Sequence, residues 1–146
     1  MKAQTTQVLW VGPSRLDPSV EIFAVATNIA SKSANEKTGD MVQVWYMPVH
    51  VKPNDAVKTG EDAAVCGNCP LRPLNKASRP GKQPCYVLTH NAPRSIWASV
   101  HRNGLLDCID YDRAASDIKA SGKEVRFGGW GDPAAVPVWV NTGLIS

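Results

Sequence analysis

Acidic residues are missing from one long part of this chain. Residues 63 to 106 contain Arg72, Lys76, Arg79, Lys82, Arg94 and Arg102 and no Asp or Glu. The flanks lean the other way: residues 1 to 62 hold six Lys/Arg against seven Asp/Glu, and residues 107 to 146 hold four against six. The net charge of +3 therefore hides a basic centre between acidic ends. A segment of one sign attracts polyanions such as nucleic acid or a nucleotide phosphate, although a solvated basic loop carries the same pattern. Long apolar runs are also missing. None approaches the roughly 18 residues needed to cross a bilayer, so no membrane association is expected. The start, MKAQTTQVLWVGPSRLD, has no extended apolar core of the secretory kind. The predicted compartment is the reducing cytoplasm, where paired cysteines bind metal or do redox work more often than they form stable disulfides. Repeats and low-complexity tracts are absent.

With 146 residues, 43% of them apolar, the chain fits one globular domain spanning 1–146 with a core of its own. A metal is then not a precondition of folding. Cysteine is scarce, four residues in all, yet three of the four fall inside the basic centre. Cys66 and Cys69 are separated by two residues, and Cys85 follows after fifteen more. A C-x2-C pair can turn both sulfurs toward one ion, so residues 62–90 read as a metal-binding cysteine loop. Zinc would need a fourth ligand, from His90 or Cys108. Three thiolates could instead hold an iron-sulfur cubane and leave one iron open. A redox pair and a set of unliganded small residues are the remaining readings. Cys108 lies between Asp107 and Ile109 in an apolar stretch, which favours a core thiol over a ligand. His50 reads as a loop histidine, and His101 stands near a helix C-terminus, away from that helix's apolar face.

Strands are predicted at Gln7 to Val11, Val20 to Thr27 and Met41 to Met47, the last two pairing as a hairpin. Pro53 and Gly60 bracket a short helix. Four prolines between Pro70 and Pro84 argue for irregular backbone whose ends coordination by Cys69 and Cys85 would anchor. A helix is predicted over Asn91 to Asn103, capped by Asn91, with Ile96, Trp97 and Val100 inward. Leu105 to Ile109 reads as a short strand or turn. A second helix runs from about Asp112 to Ser121, with Ala114, Ala115 and Ile118 inward and Gly122 as its stop. Glu124 to Gly128 is a strand. Early strands followed by alternating helices and strands predict an α/β or α+β fold, with an N-terminal β-hairpin or sheet.

Arg126, Gly128, Gly129, Gly131 and Asp132 form a second constellation in VRFGGWGDPAAVP. Glycines at a strand end admit a ligand close to the backbone, and Asp132-Pro133 can open a helix whose amides suit an anion. This gives a candidate cofactor shelf. A glycine-rich turn with Asp132 as its N-cap needs no ligand at all.

The strings GPSRLD, KTGDMVQVW, AVKTGEDAAVCGNCPLR, CYV and RFGGWGDPAAVP together resemble an uncharacterised family carried by bacteriophages and related mobile elements. The resemblance covers nearly the whole chain. Longer members continue past the GDPAAVP segment, which implies a short or truncated member here. The family brings no activity with it.

Three functional expectations follow. The leading one is a phage-type protein in the host cytoplasm, with Cys66, Cys69 and Cys85 on zinc or an iron-sulfur cluster. Beside the metal, Arg72, Lys76, Arg79, Lys82 and Arg94 face nucleic acid or a nucleotide, giving affinity without sequence reading. The second is a part of an enzyme similar to the radical S-adenosylmethionine class, with Gly128, Gly129 and Asp132 holding the cofactor. The third is a host-interaction protein with a purely structural metal, in which exposed tryptophans among Trp10, Trp45, Trp130 and Trp139 meet a host protein.

Overall fold

A computed structural model describes residues 5–30, 41–67 and 92–145. Four strands form one mixed sheet in the order β1-β2-β3-β4: β1 Gln7–Pro13, β2 Glu21–Thr27, β3 Val42–Pro48 and β4 Val125–Phe127. The first three run antiparallel, and β4 returns parallel to β3. A parallel return cannot be made by a tight turn and needs a long crossover. Here the crossover carries the helices α1 Pro53–Thr59, α2 Ala63–Cys66, α3 Ala92–Arg102 and α4 Tyr111–Ser121. A last helix, α5 Val138–Thr142, follows β4. The fold is α+β.

The centre of β2 shows why the sheet is sandwiched. Ile22, Phe23, Ala24, Val25 and Ala26 are all fully buried. An uninterrupted apolar run of this kind belongs to a strand covered on both faces, since successive side chains point to opposite sides. Phe23 and its cross-strand partner Met47 face one side, Ala24 and its partner Tyr46 the other. On the first side α3 packs through His101, whose ring meets Phe23 edge-on at 5.9 Å. On the second, the Tyr46 hydroxyl donates to Asn141 Oδ1 of α5 at 2.6 Å.

Local signals end most of these elements where expected. Gly60 and Gly122 adopt positive φ and close α1 and α4. Asp110 caps α4, accepting from the Arg113 N–H at 3.1 Å. Ala114, Ala115 and Ile118 are buried, as the helical spacing predicts. The Asn91 cap lies outside the described residues. Other expectations change. Leu105–Asp107 is a single 3-10 turn, not a strand. Cys108, expected in the core, is exposed just after that turn. His101 is turned inward: it stacks on Trp97 at 3.7 Å, and its Nε2 lies 2.8 Å from the Val49 carbonyl oxygen. Trp97 itself donates from Nε1 to the Pro48 oxygen at 2.8 Å. The carbonyls of Pro48 and Val49, at the end of β3, are what draw these two polar-tipped rings to the sheet. Among the described residues no helix is long and apolar enough to cross a membrane.

Candidate metal centre

Cys66 is the last residue of α2, a helix of four residues. So short a helix has no intrinsic stability and must be held by its neighbours. Asp62, fully buried, opens it, and its backbone carbonyl accepts from the Cys66 N–H at 2.7 Å. The carbonyls of the final turn, which no intrahelical donor reaches, are satisfied from two remote segments. Ser14 donates its hydroxyl to the Ala64 oxygen at 2.5 Å. The Asp132 N–H donates to the Val65 oxygen at 2.5 Å. A third bond, from the Arg15 N–H to the Ala135 oxygen at 2.8 Å, ties the two remote segments to each other.

Ser14 is 1% exposed. Besides donating to α2, its oxygen accepts from the N–H groups of Leu16 at 3.0 Å and Asp17 at 3.1 Å. This is a serine turn that also serves as a tertiary clamp. The strings GPSRLD and GDPAAVP, far apart in the chain, thus converge on the element in AVKTGEDAAVCG that carries Cys66. A serine followed three residues later by aspartate marks a turn, but nothing local shows that its hydroxyl reaches residue 64. After Cys66 the chain turns sharply at Gly67, with φ 57° and ψ −132°. That conformation favours glycine, and it redirects the backbone inside the C-x2-C spacing.

Of the five expected ligands, Cys69, Cys85 and His90 lie outside the described residues. Cys66 is half-buried and Cys108 exposed. The turn ahead of Cys108 packs on β1 and α3. Among the described residues no three His, Cys, Asp or Glu side chains cluster as a metal set. Arg72, Lys76, Arg79 and Lys82 also lie outside the described residues. Arg94 is exposed in the first turn of α3.

The glycine-rich segment after β4 packs against β3. The N–H groups of Gly128 and Gly129 both donate to the Val44 oxygen, at 3.1 and 2.9 Å, and the Tyr46 N–H donates to the Trp130 oxygen at 3.0 Å. A Cβ on Gly129 would lie 2.8 Å from the Trp45 ring, and one on Gly131 would lie 2.9 Å from the Tyr46 oxygen. Gly131 also has φ 89°. The close approach these glycines allow is an approach to β3. Asp132 accepts from the Ala134 N–H at 2.9 Å and caps the 3-10 turn Pro133–Ala135. Trp130 is buried and Arg126 half-buried. Beneath the segment, burial of the Tyr46 phenol, and then the charge of Asp132, push its pKa well above the usual tyrosine range. Tyr46 is therefore a neutral hydrogen-bond donor to Asn141, which in turn donates from Nδ2 to the Pro133 oxygen at 3.0 Å.

The arrangement can hold one thiol on a fixed mount, with the GGWGDP turn bonded to the residue beside it. No family model, no curated protein and no solved structure matches this chain.

Proposed function

We propose that this is a phage-type protein in which Cys66, Cys69 and Cys85 bind zinc or an iron-sulfur cluster, with His90, Cys108 or an open position as the fourth site. The basic block of Arg72, Lys76, Arg79, Lys82 and Arg94 meets nucleic acid or a nucleotide beside it. The observation that carries this reading is the mounting of Cys66. A four-residue helix is gripped from both sides, and the backbone changes direction at Gly67 directly after Cys66. Fixing a first ligand before the metal arrives lowers the ordering cost of the site. Metal analysis and a visible absorption spectrum on anaerobically prepared protein test it. Bound zinc, or bound iron with charge-transfer absorption, is expected, and metal-free protein overturns the reading. Binding to a short duplex should weaken steeply with added salt, since phosphate contacts release counterions.

The engagement of the Gly128, Gly129 and Asp132 amides within the protein weighs against the enzyme reading, because a cofactor shelf there would have to break these bonds. The host-interaction reading has one specific support. Trp45 and Trp130 are buried, but Trp139 is 52% exposed.

A further inference from the structure

Large apolar side chains are exposed at few places among the described residues, and two of them, Val138 at 72% and Trp139 at 52%, are consecutive at the start of α5. Trp139 is not loose. Its ring meets Tyr111 of α4 edge-on at 5.0 Å and 82°. The Tyr111 hydroxyl lies 2.9 Å from the Trp139 oxygen and 3.0 Å from the Val140 oxygen, and so ties the first turn of α4 to the backbone of α5. An aromatic ledge therefore stands on the surface with its ring held in place. Its neighbours are acidic. Asp110 and Asp112, which flank Tyr111 in the chain, are exposed, and the charge of Asp112, after burial, helps raise the Tyr111 pKa. The nearest base on α4, Arg113, is directed to Asp117, with Nε 3.7 Å from Oδ2.

We propose that Tyr111, Val138 and Trp139, rimmed by Asp112, form a docking surface for a cationic apolar segment of a partner protein, with an arginine or lysine lying on the Trp139 ring. The electron-rich face of an indole attracts a cation, and a carboxylate at the rim adds to that attraction. Val138 offers an apolar neighbour to the residue beside the cation. The same acids repel phosphates, so this ledge is not a base-stacking platform for nucleic acid. The inference deepens the host-interaction reading and is independent of metal binding, so either can fail alone.

The test follows the Trp139 indole N–H signal, identified by its loss in Trp139→Ala, during titration of the full chain. The probe is an acetylated, amidated hexapeptide alternating leucine and arginine. The controls are the leucine–glutamate counterpart and a thymidine oligonucleotide. Saturable shifts of Trp139 with the arginine peptide alone are expected. Affinity should fall about tenfold in Trp139→Ala and several-fold in Asp112→Lys. Both positions are exposed, and matching melting curves of Asp112→Lys and the native chain keep the comparison sound if Trp139→Ala unfolds. The proposal is overturned if the arginine peptide leaves Trp139 unmoved, or if the glutamate peptide or the oligonucleotide shifts it equally. It is also overturned if Asp112→Lys binds as well as the native chain, or if dilution alone shifts the signal, which would make the occupant a second copy.

Discussion

Ser14 and the carbonyl of Ala64, fifty positions apart, are joined by a buried hydrogen bond of 2.5 Å. The bond matters because α2 is too short to hold itself, and its last residue is Cys66. In Ser14→Ala the Ala64 oxygen loses its side-chain donor, and the Leu16 and Asp17 amides lose their acceptor. The expected cost is about 2 kcal/mol, read as a lower urea midpoint with an unchanged slope. If Cys66 is a metal ligand, the same variant should also bind metal more weakly than the native chain.

Thiol chemistry separates the cysteines. Cys108 is exposed, and it should react readily with an aromatic disulfide reagent unless it supplies the fourth metal ligand. Cys66 should react slowly, and only after chelation. Cys66→Ser or Cys69→Ser should remove most of the bound metal, measured by elemental mass spectrometry. Unchanged metal in both variants would show that these thiols are not the site.

Gly131→Ala asks whether the glycines after β4 serve the fold. The residue combines φ 89° with a Cβ position 2.9 Å from the Tyr46 oxygen. A loss of about 3 kcal/mol is expected from backbone strain and the clash together. Gly122→Ala has the strain but open space around it, and should cost about 1 kcal/mol. Equal losses in thermal unfolding would show that packing against β3 is not the constraint.

The Tyr46 phenol predicts a fall in stability in alkali. Its pKa is raised in the fold, whereas in the unfolded chain it titrates near the ordinary value of about 10. Above that pH the unfolded state releases a proton that the native state keeps. Its contribution is therefore complete below about pH 10 and is lost progressively above it. Urea melts between about pH 8 and about pH 11 should show this slope, and Tyr46→Phe should flatten it. The same variant leaves Asn141 Oδ1 without its donor and should cost about 1 kcal/mol at neutral pH.

His101→Ala should cost about 2 kcal/mol, because the ring fills the space between Phe23 and Trp97 and reaches the Val49 oxygen. A surface histidine would cost almost nothing, so a chemical denaturation curve decides between the two.

How far the sequence could be read depends on the range of each interaction. The strand at Val20 to Thr27 was legible because its apolar run is local. So were the C-terminal ends of α1 and α4, where Gly60 and Gly122 act on the backbone beside them. The inward turn of His101 was not, since the Val49 oxygen beside its Nε2 and the Phe23 ring lie on other elements. Cys108 was misplaced for a similar reason: Leu105 and Leu106 suggest burial, but the 3-10 turn carries the next residues outward. In the candidate site, the spacing of Cys66, Cys69 and Cys85 was visible at once. The clamp on Cys66 was not, because it rests on Ser14 and Asp132.

By itself the sequence determined the local matters: the three early strands, the glycine stops of α1 and α4, and the clustering of positive charge around three cysteines. These follow from backbone preference, hydrophobic period and covalent spacing, which act over a few residues. Tertiary structure alone decided that β4 lies parallel to β3, that the glycines of GGWGDP serve Trp45 and Tyr46, and that Trp130 is buried while Trp139 is exposed. Each of these depends on which remote surfaces meet, and burial and hydrogen-bond satisfaction settle that only when the whole chain has packed.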